Sequence, residues 1–235
     1  MSWDWQFFLR DIGDGETTYF DWMISAWGWT LSVSACAWVV ALVFGAVVGT
    51  LRTAPKPWVA NLANVWVELF RNIPLLVQIF LWYFVVPALI PPLQKVPSFV
   101  MVVLALGFFT SARIAEQVRA GIQSLSRGQR YAGLALGLSL PQTYRFVLLP
   151  MAFRIVLPPL TSEAMNIIKN SSVAFAVSIS ELTMFAMQAQ EETSRGIEVY
   201  LAVTSLYIAT TLVVNRVLAF IESRVRVPGY VGGGR

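Results

Sequence analysis

The sequence predicts an all-α integral membrane protein with about five transmembrane helices. Three observations carry that reading. Of the 235 residues, 57% are hydrophobic and 13% charged, and the mean hydropathy of +0.64 lies well above the soluble globular range. The apolar residues gather into runs of roughly 20 or more, the length a helix needs to cross a hydrocarbon core. The basic residues sit at the ends of these runs and not in a patch, so the net charge of +4 speaks of orientation in a bilayer and not of nucleic acid. With no histidine and a single cysteine, Cys36, the chain offers no disulfide of its own, no Cys/His metal cluster and no histidine-based acid/base or triad chemistry. An enzyme is not expected.

Residues 1–21 hold Asp4, Asp11, Asp14, Glu16 and Asp21 against a single Arg10, which favours the outside of the membrane. Met1-Ser2-Trp3-Asp4 is acidic and aromatic where a cleaved signal peptide is basic and then apolar, so none is expected. Span one covers about 22–51, because no charge interrupts Trp22 to Leu51. Trp22, Trp27 and Trp29 mark its interface, and Gly45 with Gly49 forms a small-xxx-small face for a neighbouring helix. Trp58, Leu62, Val65, Trp66, Leu69 and Phe70 recur at helical spacing between Arg52, Lys56 and Arg71, as in an amphipathic helix lying on the inner interface. Span two, about 73–91, follows Glu68-Leu69-Phe70-Arg71, with Pro74 suited to a first helical turn. The proline cluster Pro87 to Pro92 ends it in a short outer loop with Lys95. Span three, about 96–115, reaches the inner surface at Arg113, Glu116 and Arg119, and a solvated helix end accounts for Arg119.

A helical hairpin is predicted over 127–150. Its first limb carries Tyr131, Ala132 and Gly133 and stops at Gly137, where a residue without a Cβ takes the left-handed conformation. The second restarts at Ser139-Leu140-Pro141-Gln142, an S-x-x-Q capping box. Arg127, Arg130 and Arg145 surround it, so it protrudes on the inner side. An ordinary turn between spans would explain the glycine and the capping box alone. Span four, about 155–180, differs from the others. Glu163 and Lys169 interrupt it, and Ser162, Glu163, Asn166, Lys169 and Asn170 share an arc of about 120° on one side of the helix. Charges at such depth face a bundle interior, a wet path or one another. A purely structural role, satisfying each other at a subunit contact, is the alternative. Glu181 to Glu198 reads as a polar outer loop, about 199–221 as span five, and 223–235 as an inner tail whose Pro228 to Gly234 stretch is flexible. Of the 17 Lys and Arg residues, thirteen then fall inside, Arg10, Lys95 and Arg195 outside, and Lys169 within the bilayer. The N-terminus is expected outside and the C-terminus inside. An odd number of spans without an internal repeat leaves no room for the paired halves of a secondary transporter, so a translocation path needs a second chain.

Several phrases, in order, resemble the permeases of the polar amino acid uptake family of ABC importers. They are Glu68-Leu69-Phe70-Arg71 with Pro74-Leu75-Leu76-Val77-Gln78, Ala115-Glu116 through Arg119-Ala120-Gly121-Ile122 with Gly128-Gln129, the hairpin, and Leu157-Pro158-Pro159 through Lys169-Asn170-Ser171-Ser172 to Glu181-Leu182. The resemblance covers about Thr30 to Glu222. Ser139-Leu140-Pro141-Gln142-Thr143-Tyr144-Arg145 and Arg224-Val225-Arg226-Val227-Pro228-Gly229 are similar to the bacterial glutamate/aspartate branch. The hairpin matches the EAA-x3-G-x9-I-x-L-P loop of these permeases, with Val147 for Ile, and with Tyr131 and Gly133 where the motif has Glu and its second Ala.

The resemblance implies a type I importer permease of the bacterial inner membrane, with residues 22–222 as the transmembrane domain behind a periplasmic segment. Its implied partners are a second homologous permease in a heterodimer, two cytoplasmic ATP-binding cassette subunits and a periplasmic amino acid-binding protein. ATP and magnesium belong to the partner ATPase, and no G-x-x-x-x-G-K-[ST] phosphate loop occurs in this chain. Tyr131, Ala132, Gly133, Gly137, Ser139, Pro141 and Gln142 are the expected surface for the ATPase. For the substrate path, Arg113 and Lys169 are expected to supply positive charge to a dicarboxylic amino acid. Arg113 is the more specific of the two, because relatives taking other polar amino acids tend to have an uncharged residue before the apolar-Ala-Glu phrase. Glu163, Asn166, Asn170 and Ser171 complete the path candidates, and no metal is expected. A passive homo-oligomeric channel for small polar solutes would use the same polar arc without a nucleotide, and a membrane scaffold would gain nothing from buried charge.

Overall fold

The computed structural model describes residues 3–225. Met1, Ser2, and the tail that holds Arg226, Arg235 and the Pro228 to Gly234 stretch lie outside the described residues. Ten α-helices follow one another among the described residues: α1 (Tyr19–Leu51), α2 (Pro57–Asn72), α3 (Leu75–Phe80), α4 (Val86–Leu89), α5 (Ser98–Gln123), α6 (Arg127–Ala135), α7 (Leu140–Thr143), α8 (Leu149–Asn170), α9 (Leu182–Thr193) and α10 (Gly196–Val225). A π-helical turn, Leu81–Val85, joins α3 to α4, and another, Tyr144–Leu148, joins α7 to α8. Four stretches are long and apolar enough to cross a membrane: Tyr19–Leu51, Ser98–Gln123, Leu140–Val177 and Gly196–Val225. A fifth is formed if Pro57–Asn72 and Leu75–Leu89, separated by a break at Ile73 and Pro74, count as one broken span. The fold is all-α, with four to five membrane-spanning helices.

The helices divide into two compact units. One gathers the residues up to Val39, Pro74–Gly107 and Asn166–Val213; the other gathers Val40–Ile73, Phe108–Met165 and the residues from Val214.

The first unit is built on aromatic packing. Phe7 and Phe8, from a 3-10 turn at Trp5–Leu9, are buried with Tyr19, Met23 and Ala26 of α1, Leu182, Phe185, Ala186 and Ala189 of α9, and Val199 and Val203 of α10. The start of α1 is fixed by Thr18 and Asp21, which cap reciprocally: Asp21 N–H donates to Thr18 Oγ1 at 3.2 Å and Thr18 N–H to Asp21 Oδ2 at 3.1 Å. The stretch expected as a polar outer loop, Glu181 to Glu198, instead contains α9. Leu182, Phe185, Ala186 and Ala189 stand at i, i+3, i+4 and i+7 and bury one face of it, so its polar residues lie on the remaining surface. Glu181 caps this helix. Its carboxylate accepts from Thr183 N–H at 2.8 Å, Met184 N–H at 3.0 Å and the Tyr207 hydroxyl at 2.9 Å, and burial pushes its pKa up.

In the second unit the C-terminal halves of α1 and α5 meet closely. A Cβ on Gly45 would lie 2.5 Å from Ile114 Cγ2 and one on Gly49 2.7 Å from the Ala115 carbonyl oxygen, so the small-xxx-small face is a helix–helix contact. Phe44, Trp66, Phe70 and Phe108 cluster beside it, and Trp66 Nε1 donates to Ser111 Oγ at 3.2 Å. Arg113, Glu116 and Arg119 lie on α5, which runs on through them to Gln123. The return limb of the hairpin runs on into the following helix: Leu140 to Val177 forms one continuous helical stretch of 38 residues.

Candidate functional site

The second unit carries both the hairpin and a polar cavity. In the hairpin, α6 ends in a Schellman motif. Leu138 N–H reaches back to the Gly133 carbonyl at 3.1 Å, Gly137 N–H bonds the Leu134 carbonyl at 3.0 Å, and Gly137 sits at φ +84°. Two residues on, Ser139 N–H donates to Gln142 Oε1 at 2.8 Å, and the reciprocal half of the capping box is present, with Pro141 inside the first turn of α7. The two limbs touch at Gly133, where a Cβ would lie 2.7 Å from Thr143 Cγ2, a physical reason for glycine at this position. Tyr131 and Leu136 stay exposed, while Gly133 and Thr143 are buried between the limbs. The hairpin is therefore held by local bonds at its turn, with Tyr131 and Leu136 as exposed apolar side chains on its surface.

The return limb is also tied to the turn after α1. The Tyr144 hydroxyl donates to the Thr53 carbonyl at 2.8 Å and stands 3.0 Å from the Thr53 hydroxyl. Next to Thr53, Arg52 is 8% exposed; its Nε donates to Asn64 Oδ1 at 2.7 Å, and its Nη1 stands 3.8 Å from Glu116 Oε1. Burial pushes the pKa of Arg52 down, Arg119 and Arg71 act in the same direction, and Glu116 and Glu68 oppose them. Glu116 in turn is bonded by Arg71 Nη1.

Arg71 and Glu116 open onto a cavity of about 400 Å³ that is also lined by Phe109, Arg113, Gln117 and Glu163. Arg113 Nη1 stands 3.8 Å from Glu163 Oε2, too far for a hydrogen bond but close enough for attraction. Gln117 Nε2 approaches the other Glu163 oxygen at 3.4 Å, and Glu163 is 11% exposed at its side chain. The Arg113 guanidinium lies over the Phe109 ring, 5.1 Å from its centroid. Two guanidiniums and two carboxylates thus face one small space, an arrangement suited to a zwitterion carrying further charge. A larger cavity of about 620 Å³ in the same unit is lined by Leu42, Val47, Ile114, Phe153 and Val156 among others, with Thr50 as its polar residue. It has nothing to orient a charged solute.

Of the path candidates, the structure brings Arg113 and Glu163 together. Asn166, Lys169, Asn170 and Ser171 belong to the first unit. There Lys169 is exposed and makes no ion pair among the described residues, and Ser171 is buried with its hydroxyl donating to the Ile168 carbonyl at 2.7 Å. Arg71, Glu116 and Gln117 line the cavity without having been singled out for it. The available signal was two opposite charges, Glu68 and Arg71, beside a helix break, and Gln117 next to Glu116. Among the described residues no three His, Cys, Asp or Glu side chains converge as a metal site.

Residues 41–227 match the family model described as binding-protein-dependent transport system inner membrane component. The glutamate/aspartate import permease protein GltJ of Escherichia coli (strain K12) is 41% identical over 243 aligned residues, covering 99% of each chain. The glutamine transport system permease protein GlnP of the same strain is 35% identical over 199 residues, covering 84% of this chain and 90% of that protein. The crystal structure of an amino acid ABC transporter with histidines superposes with a TM-score of 0.76 at 30% identity, covering 88% of this chain and 95% of that one.

Proposed function

This chain belongs to the family of binding-protein-dependent transport system inner membrane components, and we propose that it is the permease of an ATP-driven importer of acidic amino acids, with glutamate and aspartate as its substrates. The observation that carries the substrate class is the cavity in which Arg113 and Arg71 face Glu116 and Glu163. A guanidinium is always charged and grips a carboxylate with a planar fork, whereas a neutral amide in the same place would gain little. The similarity to a glutamate/aspartate import permease supports the same class. As a transport component the chain is not itself an enzyme.

In this reading a second homologous permease completes the path, and two cytoplasmic ATPases and a periplasmic binding protein complete the importer. Residues 1–21 are periplasmic, residues 22–222 form the transmembrane domain, and the C-terminus is cytoplasmic in the inner membrane, as the distribution of lysine and arginine favours. Tyr131, Ala132, Gly133, Gly137, Ser139, Pro141 and Gln142 meet the ATPase. ATP binding closes the ATPase pair, the hairpin moves with it, and the permeases turn from inward- to outward-facing; hydrolysis resets them. Arg113 and Glu163 hold the substrate, Lys169 serves structure or gating, and Asn166, Asn170 and Ser171 are the candidates to bind an amino acid's backbone groups along the path. The test is transport by the assembled importer in proteoliposomes. Arg113→Ala should lower glutamate affinity and substrate-stimulated transport at least about tenfold, the scale of losing one partner of a charge pair. Unchanged affinity and transport would overturn the assignment, and solute flux through the chain alone, without nucleotide, would favour a passive channel.

A further inference from the structure

Resting on the Arg113 cavity as the substrate site, we propose that Arg71 is its second carboxylate receptor, released from Glu116 when substrate enters because Arg52 remains to hold Glu116. An acidic amino acid brings two carboxylates and one ammonium. Arg113 answers one carboxylate and Glu163 the ammonium, which leaves the second carboxylate facing a wall that already holds Glu116. A second carboxylate set against Glu116 meets like charge unless a cation answers it. Arg71 is the other cation on that wall, and its side chain is 47% exposed.

Arg71 is already engaged with Glu116, so its release has to leave Glu116 compensated. Arg52 meets that requirement. Its side chain is nine-tenths buried, its Nε is fixed on Asn64, and its Nη1 is buried without a hydrogen-bond partner, 3.8 Å from the same Glu116 oxygen that Arg71 holds. A contraction of roughly 1 Å would turn that attraction into a hydrogen bond and satisfy an atom that is otherwise unsatisfied in its buried site. Glu116 therefore passes from one arginine to the other, and each charge has a partner before and after: Arg71 and Arg113 on the two carboxylates, Glu163 on the ammonium, Arg52 on Glu116. The exchange also has a direction, since the substrate's carboxylate competes with Glu116 for Arg71.

That competition separates exchange from a static staple. In the assembled importer in lipid nanodiscs, equilibrium binding of radiolabelled glutamate is measured for the native chain and for Arg71→Gln, Arg71→Lys, Glu116→Gln and Arg113→Gln. Exchange predicts that Arg71→Gln weakens binding at least about tenfold, that Arg71→Lys restores part of it, and that Glu116→Gln tightens it about threefold or more by removing the competitor. The inference is overturned if Arg71→Gln binds within twofold of native, or if Glu116→Gln binds equally or more weakly while still assembling with its partners. Normal binding by Arg113→Gln would sink the underlying site instead. Loss in Arg113→Gln with native binding in Arg71→Gln would keep the site and remove only the second receptor. Should Glu116→Gln fail to assemble, the Gln and Lys variants at Arg71 decide the matter alone.

Discussion

The Tyr144 hydroxyl donates to the Thr53 carbonyl at 2.8 Å, joining the return limb of the hairpin to the turn between α1 and α2. Beside this turn, Arg52 holds Asn64 of α2 and faces Glu116 of α5. Tyr144→Phe removes one hydrogen bond worth about 1 kcal/mol, too little to unfold the chain. We expect the variant to assemble and to retain basal ATP hydrolysis while moving fewer substrate molecules per ATP. Transport and hydrolysis measured on the same proteoliposomes check this, and a native ratio would show that the contact carries no motion.

Gly137 holds φ +84°, where a β-branched side chain is strained by about 1–2 kcal/mol. Space is not the obstacle, since a Cβ there would meet nothing within 4 Å. Gly137→Val should therefore distort the hairpin and lose the ATPase on co-purification, whereas Gly137→Asn, whose side chain tolerates the left-handed region, should keep most of it. Equal retention by both would disconnect the turn from the ATPase contact.

At Gly49 the limit is room. A Cβ would lie 2.7 Å from the Ala115 carbonyl oxygen, a backbone atom that cannot swing away. Gly49→Val should cost about 1–3 kcal/mol through overpacking and lower the thermal midpoint in detergent. Gly28→Val, in the same helix with nothing within 4 Å, is the matched control and should cost less. Similar losses at the two positions would deny the close approach.

Glu181 has its pKa raised above the ordinary 4.5, mainly by burial. The folded chain then binds that proton more tightly than the unfolded chain does. Its contribution to stability is complete below the unfolded value and is lost as pH rises through the folded one. Glu181→Gln stays neutral and still offers an amide oxygen to Thr183 and Met184. The thermal midpoint of the native chain, relative to this variant, should fall as pH rises above the ordinary carboxyl value. A difference that does not change with pH would show the carboxyl to be unperturbed.

Much of this architecture is written locally. The charge-free run from Trp22 to Leu51 sets one helix whatever surrounds it, and Gly137 with Ser139 and Gln142 sets the hairpin through bonds that span only a few residues. What stayed hidden depends on distant partners. Four acidic residues made Glu181 to Glu198 read as a loop, although Leu182, Phe185, Ala186 and Ala189 already spelled the apolar face of α9; the balance was tipped by Phe7 and Phe8, far away in the chain. The cavity was half legible for the same reason. Arg113 stands out as a charge at the end of an apolar run, but Arg71 and Glu116 look like ordinary interface charges until α2 and α5 bring them together.

The Asp4 amide donates to Glu198 across 194 positions of sequence, and Phe7 and Phe8 are buried against α9 and α10 on the same side of that gap. Contacts so remote close late, because the intervening chain has to be placed before they can form. During synthesis the first ten residues are therefore made long before their seat exists, and their aromatic side chains wait exposed until α9 and α10 emerge. The N-terminal segment is thus a late seal on its unit: a chain interrupted before α10 would leave Phe7 and Phe8 without Val199 and Val203, part of the packing that buries them.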